Sequence, residues 1–249
     1  GINGVPVATA ELKNPLNGQT LADAIEQYRS DRDVPRNVIL TRRCLVHFAA
    51  DTNLVAMTTQ LAGADTRFLP FNRGSNPGEL SCGRGNPPVP GGYATSYLWE
   101  RVWSYDAWLD ILQNFFVVTA ETDPETGATT SATIFPRFQQ WDAVRAAIAA
   151  VSADGPGSSY LFQHSAGSGK SNTIAWTGDR LSRLDGPDDR RLFDKVIVIT
   201  DRRVLDEQLR RNVEQFERTA GAVQTVIEGR GSKSTQLLEA LRSNAKIIT

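Results

Sequence analysis

The spacing of apolar positions changes character about halfway along this chain. Residues 5–13, VPVATAELK, set Val5, Val7 and Thr9 on one side of a pleat, which predicts a strand whose Pro6 belongs at an edge or a strand start. NPLNGQ supplies turn residues. From Thr20 to Arg32, Leu21, Ala24, Ile25 and Tyr28 fall at helical spacing behind Thr20 as N-cap. Further strands are predicted at NVILT, CLVHFAA, LVAMTTQ and TRFLPF. The Gly-, Pro- and Ser-rich stretch 75–96 reads as a long ordered loop. Two amphipathic helices follow, around YLWERVW and YDAWLDILQNFF, with their aromatics as core anchors.

ETDPETGATTSAT is polar, turn-rich and without periodicity, and marks a boundary. Beyond it helix and strand alternate: helix QQWDAVRAAIAAV, strand SSYLFQH, a glycine loop and a helix to Leu184, strand KVIVIT, helix VLDEQLRRNVEQF, strand AVQTVIE, helix STQLLEALRS and strand KIIT. Strands spaced by helices imply a parallel sheet with helices on its faces. The reading is α/β, with one domain over 1–118, a linker over 119–134 and a second domain over 135–249.

Composition narrows the function classes. The 249 residues are 40% hydrophobic and 22% charged, a globular balance. No apolar run approaches the roughly 20 residues that span a bilayer, and no signal-peptide pattern opens the chain. Cys44 and Cys82 have no metal-ligand spacing and point to a reducing compartment, so a cytoplasmic location is expected. The net charge of −1 advertises no global attraction for nucleic acid, though Arg42, Arg43 and DRRVLDEQLRR can contribute to a local positive groove or to a solvated mixed-charge surface. The chain opens without methionine and closes on NAKIIT, which reads as the start of a strand, so an internal piece of a longer polypeptide is expected.

The sharpest chemical signal is LFQHSAGSGKSNTIAW, residues 161–176. The full nucleotide-loop pattern is Gly, four residues, then Gly-Lys-Ser/Thr. Here His164 holds the first position, followed by Gly167, Ser168, Gly169, Lys170 and Ser171. Small residues let backbone N–H groups wrap a phosphate at the positive end of the following helix. Lys170 reaches the β- and γ-phosphates, and the Ser171 hydroxyl joins the Mg²⁺ shell. The loop is therefore expected to bind ATP with Mg²⁺.

HSAGSGKS resembles motif I of superfamily 2 helicases and translocases, whose loops commonly lack the leading glycine. FPRFQQWDAV is similar to that superfamily's adenine-recognising segment, with Gln140 in the glutamine position; an amide suits adenine because it donates and accepts at once. VIVITDRRVLDEQ resembles motif Ia, which meets the nucleic-acid backbone. The resemblance implies a RecA-like motor lobe.

Near the start, AELKNP sets Glu11 and Lys13 two residues apart, on one face of a strand. A carboxylate there can hold Mg²⁺ while an ammonium orients water and steadies a pentacovalent phosphate. This is the Glu-X-Lys half of the PD-(D/E)XK nuclease signature, a tripeptide that composition alone yields about once in a chain of this length. Together with QTLADAIEQYRSDR, FNRGS, GYATSYLWERVWSYDAWLDIL and the motor segments, it resembles the R subunit of type I restriction enzymes. That resemblance implies a partial PD-(D/E)XK nuclease domain followed by the first part of the motor. It makes Glu11 and Lys13 the metal and catalytic positions, and double-stranded DNA and the modification (M) and specificity (S) subunits the partners. The family's Gln-X-X-X-Tyr pattern is altered: Tyr28 fits its last position, Ala24 fills its first, and Gln27 lies beside the tyrosine. Two other readings stay open: a superfamily 2 ATPase with an inactive nuclease-like DNA-binding domain, and a P-loop regulatory module with no nucleic-acid role.

Overall fold

The computed structural model describes residues 1–76, 83–122, 127, 129–200, 209–210, 212–215, 221–227 and 231–249. Cys82 and residues 201–208 of the motif Ia-like segment lie outside them, as do parts of the loop and linker stretches. The chain divides into two compact units, Gly1–Gln139 and Gln140–Thr249.

The first unit is built on a sheet ordered β1-β2-β3-β4, with β1 Ala8–Leu12, β2 Val46–Ala50, β3 Val55–Thr58 and β4 Leu69–Pro70. β1 runs parallel to β2, with Glu11 opposite Ala49 and Thr9 opposite His47, and the other two pairings are antiparallel. Every residue of β2 is buried, so both faces of the sheet are covered there. On one face, Phe48 centres an aromatic cluster. It meets Phe71 at 5.4 Å, Trp103 at 5.5 Å and Phe135 at 6.0 Å between centroids, mostly edge to face. The predicted aromatic helix is present as α2, Tyr105–Asn114, and the shorter YLWERVW segment forms a π-helical turn over Leu98–Val102.

The other face is covered by the predicted Thr20–Arg32 helix. It runs as α1, Leu21–Glu26, and continues as a π-helical turn over Gln27–Asp31. Its start is fixed by the Thr20 amide on the Asp23 carboxylate (2.7 Å) and the Leu21 amide on Asp51 (2.8 Å). Tyr28, 1% exposed, reaches the Thr9 hydroxyl on β1 at 2.7 Å; the same hydroxyl lies 2.7 Å from Nδ1 of buried His47 on β2.

The strand expected at NVILT is helical instead: a 3-10 turn over Val34–Arg36 precedes a π-helical turn over Ile39–Arg43. Pro35 fixes its own φ, and Asn37 caps the Ile39 amide at 3.0 Å while its carbonyl takes the Leu40 and Thr41 amides. Local bonds satisfy this backbone before a ladder can. The linker expected over 119–134 carries a hairpin, β5 Val117–Thr122 paired antiparallel with β6 Thr129–Ile134. Its threonine-rich composition favours a pleated surface once paired.

In the second unit, β7 Val196–Ile197, β9 Ile247–Ile248 and β8 Val223–Gln224 form an all-parallel sheet in the order β7-β9-β8. Helices α3 Phe138–Asp154, α4 Lys170–Ser182 and α5 Lys233–Arg242 match the predicted ones, and residues 209–210 and 212–215 of the expected fourth are helical. Trp141, Val144 and Trp176 are fully buried. Gly178 faces β7, where a Cβ would meet Val196 and Val198 in ordinary contact at 4.0 Å. SSYLFQH, expected as a strand, is not one: Leu161 is 90% exposed, and no described strand pairs with the segment to form the ladder that extended backbone requires.

Burial holds His47 neutral, taking its pKa from 6.5 down to about 4, with a hydrogen bond to the Leu40 backbone acting in the opposite sense. Because the folded value lies below the unfolded one, the unfolded chain binds the extra proton. The stability from His47 is therefore complete above pH 6.5 and lost as pH falls toward 4, by up to about 3 kcal/mol. Denaturant unfolding between pH 7.5 and 4.5 should show this slope in the wild type and a weaker one in His47→Gln. With only two histidines in the chain, an NMR titration can follow each; a His47 resonance moving near pH 6.5 would refute the assignment.

Candidate functional site

Two clusters of chemically capable residues stand out, one in each unit. In the second unit, residues 164–171 lead into α4. Gly167 and Gly169 adopt positive φ, 72° and 83°, where a side chain is strained. Such backbone alternation turns successive N–H groups to one side and makes a concave anion receptor. Gly169 is the N-cap of α4, and its carbonyl takes the Asn172 and Thr173 amides at 3.1 and 3.3 Å. Lys170 and Ser171 occupy the first helical positions, whose amides have no carbonyl a turn earlier in the helix, and the helix dipole adds its positive end. This arrangement fits a polyphosphate.

The loop is tied to itself and to α3. Ser168 donates to the Ser165 carbonyl at 2.7 Å. The Lys170 ammonium lies across the loop on the carbonyls of His164 (3.2 Å) and Ser165 (3.0 Å). Burial and the Lys170 charge both hold the His164 pKa below its usual value, so its ring is neutral at pH 7. Gln140, 3% exposed, donates its amide to the Gly169 carbonyl at 2.9 Å. The structure thus brings together Gln140, Gly167, Ser168, Gly169, Lys170 and Ser171, with Gln140 on the backbone of the phosphate loop. A cavity of about 380 Å³ is lined by the loop residues His164 and Lys170 as well as by Ile174, Leu181, Val196 and Ile199.

In the first unit, Thr9 and Glu11 share one face of β1, Lys13 follows just beyond the strand's end, and the segment Gln27–Arg32 supplies a side-chain partner to each of the three. The Lys13 ammonium donates to Gln27 Oε1 at 2.6 Å, and Arg32 donates to Glu11 Oε1. Tyr28 is a core residue: burial pushes its phenol pKa up to about 12, and its ring packs against His47 and Phe68. Gln27, one residue earlier, is the side chain that reaches Lys13. Sequence reasoning missed Gln27 and Arg32 as partners. The available signal was chemical: a carboxylate and an ammonium on one strand face call for a cation and an acceptor opposite, and QYRSDR holds both. As a Mg²⁺ site, Glu11 supplies one carboxylate of the one or two such an ion takes with its waters. Asp51, at the end of β2, is engaged in capping the Leu21, Asn53 and Leu54 amides. Among the described residues no group of three or more His, Cys, Asp or Glu is able to hold a metal ion.

The loop geometry sets an ordering of glycine variants. A Cβ at Gly169 would lie 2.4 Å from the Gln140 amide nitrogen, while one at Gly167 meets nothing within 4 Å. Gly167→Ala should cost about 1 kcal/mol from backbone strain alone. Gly169→Ala should cost about 2–3 kcal/mol and abolish binding of a fluorescent ATP analogue. Adding Gln140→Ala should recover part of the Gly169→Ala loss in a thermal melt; no recovery would show that the amide is not the obstacle.

With this geometry in hand, comparison with known proteins is informative for the second unit. No curated protein and no solved structure matches the chain. The family model described as SWI2/SNF2 ATPase matches residues 139–249, which implies ATP as the nucleotide and supports a superfamily 2 helicase-like motor in this part of the chain.

Proposed function

We propose that this chain is the motor and nuclease part of a type I restriction enzyme R subunit, in which ATP hydrolysis drives translocation along double-stranded DNA and Mg²⁺-dependent phosphodiester cleavage follows. The observation that carries the motor half is the anion-receiving loop 164–171 inside the stretch that matches an ATPase family model. Lys170 neutralises the β- and γ-phosphates, the loop amides hold the β-phosphate, and Ser171 serves the Mg²⁺ that accompanies ATP. Gln140 braces the loop from α3 and stands where the superfamily's adenine-recognising glutamine would be expected. Asn172, two residues after Lys170, accepts from Asn212 at 2.9 Å, linking the loop helix to the helix after the motif Ia-like segment, where DNA would be felt.

The nuclease half rests on Glu11 and Lys13 sharing a strand face with Gln27 against the ammonium. Glu11 supplies a carboxylate to the metal, and Lys13, oriented by Gln27, holds or activates water beside the phosphate. Bound Mg²⁺ supplies the Lewis acidity. The M and S subunits supply site recognition, and the complex works in a reducing cytoplasm. A second reading, a DNA-dependent ATPase whose nuclease-like unit only binds DNA, is favoured by the engagement of Glu11 with Arg32. A P-loop module without DNA would hydrolyse ATP at a rate indifferent to DNA.

The test is made on the intact protein with its partner subunits, following ATP hydrolysis with and without duplex DNA and nicking of a circular plasmid. Lys170→Ala should lower DNA-stimulated hydrolysis at least a hundredfold and stop cutting. Glu11→Ala should leave hydrolysis within twofold of wild type and stop cutting alone. Undiminished cutting by Glu11→Ala would sink the nuclease assignment, and hydrolysis unmoved by DNA would sink the motor.

A further inference from the structure

We propose that Asn212 is a positioning residue for the phosphate loop: through Asn172 it holds the first turn of α4, so that Lys170 and Ser171 keep their places while a polyphosphate binds. The inference rests on the ATP reading of the loop and extends it to a residue far downstream. Asn172 follows Ser171 directly and lies in the same turn. Its backbone amide bonds to the Gly169 carbonyl at 3.1 Å, and its side-chain Oδ1 accepts from Asn212 Nδ2 at 2.9 Å. The Gly169 carbonyl also takes the Gln140 amide, at 2.9 Å. Two carboxamides from different helices thus meet one turn, Gln140 from α3 upstream and Asn212 from the helical residues 212–215 downstream.

Asn212 is itself held. Leu209 and Val213, on either side of it in the chain, are both buried and anchor this stretch in the core. Glu214 accepts from Arg210 at 2.9 and 3.1 Å and from the Thr225 hydroxyl at 3.2 Å, and Thr225 directly follows β8. The stretch is therefore tied to the sheet, and the Asn212 amide gives α4 a fixed point outside the loop. The need for such a point comes from Lys170. Its ammonium rests on the His164 and Ser165 carbonyls, so a phosphate that draws it away removes two of the loop's own bonds. The bonds made at Asn172 and Gly169 lie outside that exchange and keep the turn's amides aimed at the ligand. A carboxamide suits the task because it carries no charge to repel phosphate or to compete for Lys170.

The experiment measures binding of a fluorescent ATP analogue to the intact protein, with a thermal melt alongside, for wild type, Lys170→Ala, Asn172→Leu, Asn212→Leu and the double leucine variant. Leucine keeps the volume of asparagine and removes the amide. Each single leucine variant is expected to bind about tenfold more weakly, the size of one lost side-chain hydrogen bond, and the double variant no more weakly than either. Wild-type affinity in Asn212→Leu, or losses that multiply to about a hundredfold in the double variant, overturn the positioning role; with binding lost in Lys170→Ala, the ATP reading still stands. Binding untouched by Lys170→Ala overturns both. Should Asn212→Leu fail to fold, Asn212→Ser, which shortens the side chain and stays polar, is expected to bind severalfold more weakly; wild-type affinity there overturns the proposal.

Discussion

A single hydroxyl, that of Thr9, fixes the first unit. It lies 2.7 Å from the Tyr28 phenol and 2.7 Å from Nδ1 of His47, and both partners are almost wholly buried. Burial keeps the phenol protonated and the imidazole neutral, so Tyr28, Thr9 and His47 form one uncharged hydrogen-bonded chain. In a part-buried polar chain, losing any member leaves the buried partners to find another hydrogen bond. Because Thr9 lies on the same strand face as Glu11 and Lys13, this chain also sets the height and rotation of the helix above them. Gln27 and Arg32 reach Lys13 and Glu11 from the same turn that Tyr28 holds to Thr9.

The second unit uses a different device for the same end. Its functional backbone is a loop, and loops are held by whatever ties their carbonyls down. Gln140 does so at Gly169, and Ser168 and Lys170 do so at His164 and Ser165. Glycine at 169 serves two needs at once, a left-handed backbone and room for the Gln140 amide. α4 packs against β7 of the parallel sheet.

Periodicity made the long elements legible. α2, α3, α4 and α5 carry apolar faces over ten residues or more, and the pattern survives packing. The loop residues were legible because phosphate binding demands small side chains in a fixed order. What escaped was decided by competition among backbone partners. NVILT has strand-forming side chains, yet Asn37 and Pro35 close it into turns. SSYLFQH is equally strand-like and has no neighbour to pair with among the described residues. Gln27 and Arg32 were hidden for another reason: a π-helical turn shifts which side chains face the sheet, and no propensity scale announces that shift.

The position of the Lys170 ammonium carries a consequence for selectivity. It rests on two backbone carbonyls, so an anionic ligand competes with neutral dipoles for it. A bare nucleoside offers the ammonium no charge, and a monophosphate offers less than a longer phosphate chain. A chain of phosphates carries more charge than either and competes best for the ammonium. The lysine thereby acts as a threshold on charge, and discrimination among nucleotides by phosphate number begins before any contact with the base.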